Sequence, residues 1–176
     1  MGLTSQKTLE KVQLLFDKMF DINSLLDRQV YLLDIKWNLP KYQDYVHHKI
    51  SHQFPLYADK IQEFGSLRED LFYRGIVPSH IEDYNSVSEM TIKYLDELFI
   101  VEKLCADCIY TAIENKDLMY EDFIRNFSIE IVAPLIKQAS VLSKAIYSYE
   151  KHNDISKWNK DFEYWIISYN SKDGDD

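Results

Sequence analysis

The residues best suited to chemistry are three of the chain's five histidines, His47, His48 and His52, gathered in one short stretch. Asp44, His48 and His52 stand at i, i+4 and i+8, so on an α-helix their side chains share one face. Two imidazoles four residues apart beside a carboxylate suit zinc, iron or another transition metal, and His47 offers a further imidazole on the flank. The competing reading is a solvated, acidic helix face that holds nothing. Cys105-x-x-Cys108 has redox spacing, but a reactive version wants its first cysteine at a helix N-terminus after a strand. Both cysteines lie inside an apolar helical pattern, so they read as small core side chains. Glu63, Glu69 and Asp70 cluster further on, either as a solvated face or as carboxylate ligands. No Glu is followed three residues later by His. The Glu-x-x-His pair of a di-metal centre inside a four-helix bundle is therefore missing, and no such centre is expected.

Four long helical stretches have to position these groups: residues 8–39, 41–73, 88–115 and 119–149. In the first, Val12, Leu15, Phe16, Met19, Ile22, Leu25, Leu26, Val30, Leu33 and Trp37 recur at threes and fours, an apolar α-helical stripe. The second carries Tyr42, Tyr45, Ile50, Phe54, Tyr57, Ile61, Phe64, Leu67 and Leu71, interrupted by Pro55 and Gly65. A proline inside a helix costs about 3 kcal/mol, which predicts a kink or break at Pro55 and a bend at Pro134 in the fourth stretch. The third is capped by Ser86 or Ser88. Only tight turns separate the first from the second and the third from the fourth, so each pair is an antiparallel hairpin.

The connection 75–87 reaches roughly 43 Å when extended at about 3.3 Å per residue, as long as one helix of the bundle. It crosses from one end of the bundle to the other, with a short helix over 80–84. These elements predict an all-α fold, a ferritin-like four-helix bundle with a long crossover between the second and third helices. An extra C-terminal helix over 154–168 packs on the bundle end or on a neighbouring subunit. Residues 1–170 form one domain and 171–176 a short acidic tail.

Composition narrows the function further. Four glycines and four prolines favour long helices, and the formal charge of −9 argues against a broad nucleic-acid surface. Charges interrupt every apolar run well short of the roughly 18 residues a membrane span needs, so no membrane partner is expected. The first residues lack a basic segment followed by an apolar one, which points to the cytoplasm. Three Trp, 13 Tyr and nine Phe, several away from the main stripes (Tyr45, Tyr73, Tyr84, Trp158, Trp165), suggest buried subunit contacts and a closed homo-oligomer.

Three local patterns resemble the Dps family of mini-ferritins. Leu25-Leu26-x-x-Gln29-Val30-Tyr31 followed by Trp37-Asn38 is similar to that family's first helix. Glu69 with Gly75 and Pro78 is similar to the close of its second helix, and Ile81-Glu82-Asp83-Tyr84 to its short crossover helix. The resemblance spans residues 8–150 and implies a dodecamer that stores iron and protects against oxidative stress. It also implies ferroxidase sites shared between subunits, two histidines from one chain and an Asp/Glu pair from the other. Carried over, one histidine is His48 and the glutamate is Glu69, with His52, Asp44 or Glu63 as substitutes and Trp37 packing behind. The other histidine position holds Lys36, and the aspartate position holds Gly65. An ammonium at Lys36 repels Fe²⁺, so the resemblance implies an altered or weakened ferroxidase site. The implied cofactor is iron; the residues themselves offer the alternative of a zinc- or copper-binding bundle using Asp44, His48 and His52. The family's DNA binding uses a Lys-rich tail, for which Lys7 and Lys11 are a thin substitute. The rival reading is a non-catalytic helical interaction protein that keeps the bundle as a scaffold.

Overall fold

The computed structural model describes residues 4–172, and those residues form helices and connections with no strand among them. Helix α1 spans Gln6–Ile35 and is capped by Ser5, whose side chain accepts from the Thr8 amide. The second rod is built from α2 (Pro40–Tyr45), a π-helical segment π1 (Val46–Ser51) and α3 (Gln53–Ser66). Helix α4 spans Val87–Glu114. The fourth rod comprises α5 (Leu118–Phe127), π2 (Ser128–Val132) and α6 (Ala133–Lys151), and α7 (Ile155–Lys172) follows. The expected stripe of α1 is the buried one, from Val12 through Leu33, with Trp37 half-buried just beyond the helix end. Among the described residues no helix is long and apolar enough to cross a membrane.

The second and fourth rods are interrupted near Pro55 and Pro134, each by a π-helical segment just before the proline, and core register explains them. Tyr42, Val46, Ile50, Phe54 and Ala58 are all buried and sit every fourth residue. Each such step overshoots a full turn of a 3.6-residue helix by about 40°, so four steps would carry the stripe about 160° off the core. A wider turn absorbs the drift. In the fourth rod the buried positions step by five from Phe127 to Val132, across π2. Each proline follows its wide turn by a few residues, where a regular helix would leave the carbonyl four residues back without a donor. For Pro55 that carbonyl belongs to Ser51, and it accepts instead from Asn23 Nδ2 of α1 at 3.2 Å. Ser51 Oγ also donates to Asp27 Oδ1 at 2.7 Å, so the irregular turn is pinned to its neighbour.

The second rod ends at Ser66, earlier than its apolar pattern predicts, and the crossover is correspondingly longer, occupying 67–86. Buried Gly65 is the cause. A Cβ there would lie 2.7 Å from Phe72 Cε2, so only glycine lets the chain double back over the helix end. The amides of Arg68 and Asp70 both donate to the Gly65 carbonyl at 2.9 Å, and Glu69 takes the left-handed conformation (φ 61°) that terminates the helix. Leu67 and Leu71, expected on the core stripe, are therefore exposed. Phe72 buries instead, stacked on Phe16 at 5.8 Å between centroids. Asp70 buries too, accepting from Thr4 Oγ1 (2.7 Å) and the Tyr120 hydroxyl (3.0 Å).

From there the chain runs the length of α1 on a ladder of polar contacts. Tyr73 exchanges hydrogen bonds with the Gln13 side chain, the Gly75 amide donates to Asp17, and His80 meets Asp21 at 2.7 Å. Arg28 donates to the Glu82 carbonyl, and Lys36 pairs with Asp83 at 2.8 Å. These contacts progress from the N-terminal to the C-terminal end of α1, which is the end-to-end crossing the sequence requires. The expected short helix over 80–84 does not form. The segment has no regular secondary structure, and its side chains and carbonyls bond to α1 and its C-cap Lys36 instead.

Helix α7 packs on the end of its own bundle. Trp158 is fully buried, 5.5 Å from Tyr42 and 5.4 Å from Tyr149, with Phe162 beside Tyr42 and Tyr45. Several aromatics expected at subunit contacts are thus used within the chain: Trp158 and Tyr84 are buried, while Tyr73 stays exposed. The helix continues through Ser171 and Lys172, where a tail was expected, and the rest of that acidic segment lies outside the described residues.

Candidate metal centre

The wide turn π1 brings the histidines together. On a regular helix His47 and His52, five residues apart, would point about 140° away from one another. In π1 the His52 amide donates to the His47 carbonyl at 3.2 Å, an i→i+5 closure that stacks the two residues. Their ring centroids are 4.4 Å apart, those of His47 and His48 4.5 Å, and those of His48 and His52 5.3 Å. One nitrogen from each of the three lies within 4.8 Å of the others. Two imidazole nitrogens on a tetrahedral Zn²⁺, at bonds of about 2.0–2.1 Å, sit about 3.3 Å apart. Rotation about side-chain bonds of these half-buried to exposed residues covers the difference, so the set fits one borderline divalent ion and leaves a coordination position open.

The sequence-derived ligand set is therefore changed in one place. His48 and His52 are in the cluster, and His47, placed on the flank by α-helical spacing, is a full member. Asp44 is not one of the three grouped ligands. It sits behind His48, with Oδ1 3.4 Å from His48 Nε2, where a carboxylate orients an imidazole.

The remaining candidates stand elsewhere. Glu63 is exposed eleven residues beyond His52, about 16 Å along the rod at 1.5 Å per residue. It rims an open groove of about 710 Å³ with Lys60, Phe64 and Phe123. Glu69 is exposed on the far side of the 14-residue α3, about 21 Å away, and serves as that helix's terminator. Neither reaches the histidines of its own chain. The Lys36 ammonium is engaged with Asp83 and the Tyr84 carbonyl, and lies 5.1 Å over the Trp37 ring. Gly65 is occupied by close packing against Phe72.

The bundle interior does not fit a di-metal centre. Phe54 meets Tyr57 and Tyr94 at 5.5 and 6.2 Å, and Tyr57 meets Phe127 at 6.5 Å, so aromatic rings fill the middle. Burial pushes the Tyr94 phenol well above its ordinary pKa, which keeps it neutral. The buried carboxylates among the described residues already have partners: Asp70 and Asp117 hold the N-terminal segment, and Glu97 pairs with Lys18 and Lys93. Burial would raise the Glu97 pKa, but the hydrogen bonds from the two lysines outweigh it and hold the carboxyl low. Burial pushes the Cys105 and Cys108 thiols up to about 12, which makes them inert core groups, as their surroundings predict.

Compared with known proteins, the chain matches no family model and no curated protein. Among solved structures it is similar to a humanized archaeal ferritin, with a TM-score of 0.81 at 14% identity. The match covers 90% of this chain and 96% of that one. The fold is the ferritin-like helical bundle.

Proposed function

We propose that this chain is a metal-handling protein of ferritin-like build that binds a divalent transition metal at His47, His48 and His52. The observation that carries this is the convergence of the three imidazoles at π1. Iron is the cargo the fold favours and zinc the ion the ligand set accepts most readily, since neutral imidazoles take either. The Dps-like form of this reading, a cytoplasmic homo-oligomeric shell that stores iron, rests on the helix plan and the patterns around Trp37 and Gly75. Lys36 and Gly65 stand against rapid oxidation of Fe²⁺ at a site shared between subunits. A second reading, a binding scaffold without metal chemistry, is favoured by the aromatic packing of the bundle interior.

Light scattering followed by metal analysis of the native particle separates the readings. The metal reading expects an assembled particle carrying about one ion per chain, lost in a His47→Ala/His52→Ala variant that remains folded. A particle that is metal-free as isolated and takes up neither Zn²⁺ nor Fe²⁺ at neutral pH refutes it.

A further inference from the structure

The outer face of α4 carries an apolar seam that stays exposed among the described residues. Ile92, Phe99, Ala106 and Ile113 recur every seven residues. Three of these side chains are open to solvent: Ile92 and Phe99 at 46% and Ile113 at 44%. The opposite face of the same helix, including Met90, Leu98, Val101 and Cys105, supplies the bundle core. A seven-residue repeat on a 3.6-residue helix drifts by about 20° per heptad, which suits a partner helix crossing at a shallow left-handed angle of about +20°.

At the middle of the seam lie two exposed charges, Glu102 and Lys103. Adjacent residues on a helix do not face each other, and among the described residues neither has an ion-pair partner in its own chain.

We infer that two copies of this chain pair antiparallel along α4, about a two-fold axis passing between Glu102 and Lys103. In that register Phe99 lies over the partner subunit's Ala106, large against small. Ile92 meets the partner subunit's Ile113. Glu102 faces the partner subunit's Lys103, and symmetry repeats every contact, as an isologous interface requires. Parallel pairing would instead set Glu102 against Glu102 and Phe99 against Phe99. Size and charge together thus choose a second copy in one orientation, and the choice does not depend on the metal reading. The seam is narrow against the roughly 800 Å² per partner of a standard interface, so the pairing is concentration-dependent.

Sedimentation velocity of the metal-free full chain over a concentration series tests this. Lys103→Glu and Glu102→Lys each place like charges in both symmetric contacts, and each is expected to weaken self-association about tenfold. The double variant Glu102→Lys/Lys103→Glu restores opposite charges and is expected to recover the wild-type constant. All three substitutions are on exposed positions and leave the core intact. A wild-type chain that stays monomeric throughout, single variants that associate like wild type, or a double variant that fails to recover would each overturn the inference.

Discussion

The π1 turn makes a quantitative demand on metal binding, because it sets the number of imidazoles that act together. A metal-bound imidazole must be neutral, so in the acidic range where free histidines are protonated each ligand costs one released proton. The apparent affinity then falls tenfold per pH unit for every imidazole engaged. Three converged ligands, within 4.8 Å of one another, give a limiting loss of about a thousandfold per pH unit. A regular helix would engage only His48 and His52, with a limiting loss of about a hundredfold per pH unit. Removing His47 distinguishes the two geometries. His47→Ala is expected to weaken Zn²⁺ binding at pH 7.5 and to reduce the slope from three to two, as His52→Ala does. Competition titration against a chromophoric chelator at several pH values measures both. A wild-type slope of two or less, or a His47→Ala variant with unchanged slope and affinity, refutes the reasoning about the turn.

Two further outcomes test how the bundle is held. Glu69 sits at φ 61°, where a residue with a Cβ is disfavoured by about 1–2 kcal/mol, so Glu69→Gly is expected to raise the denaturation midpoint without changing Zn²⁺ affinity; lost affinity would restore Glu69 as a ligand. The Glu97 and Asp21 carboxyls are both held below their ordinary values of 4.5 and 3.8, Glu97 by Lys18 and Lys93, Asp21 by Lys18 and His80, in each case against the opposing effect of burial. Their stabilising contribution is therefore complete above about pH 4.5 and is lost as the pH falls through the lowered values. Removing one partner of a buried pair leaves the other uncompensated, so Glu97→Gln is expected to cost about 3 kcal/mol at pH 7 and to flatten the acid limb of the stability profile. Urea unfolding across pH 2–7 measures both effects, and a variant as acid-sensitive as the wild type counts against the network.

Much of this protein is legible without coordinates. The threes and fours of α1 and α4, the scarcity of glycine and proline, and one long connection between two tight hairpins determine a helical bundle with an end-to-end crossover. These signals are local: side-chain period and chain length are properties of consecutive residues, and burial follows from them. The inertness of the cysteine pair was legible for the same reason, since apolar neighbours on a helix mean desolvation.

Tertiary structure decided what depends on register between rods. The buried every-fourth-residue run from Tyr42 to Ala58 matches a widened turn, but a straight-helix reading of the same residues keeps a plausible stripe through Tyr45 and Tyr57. Only the facing side chains Asn23 and Asp27, which take up Ser51, commit the chain to π1. That commitment brings His47 from the flank into the imidazole cluster and leaves Asp44 behind His48. Gly65 is the other case. In the sequence it marks a missing carboxylate; in the fold it is the space that Phe72 needs, and that contact comes from a residue beyond the helix end which no helical period anticipates.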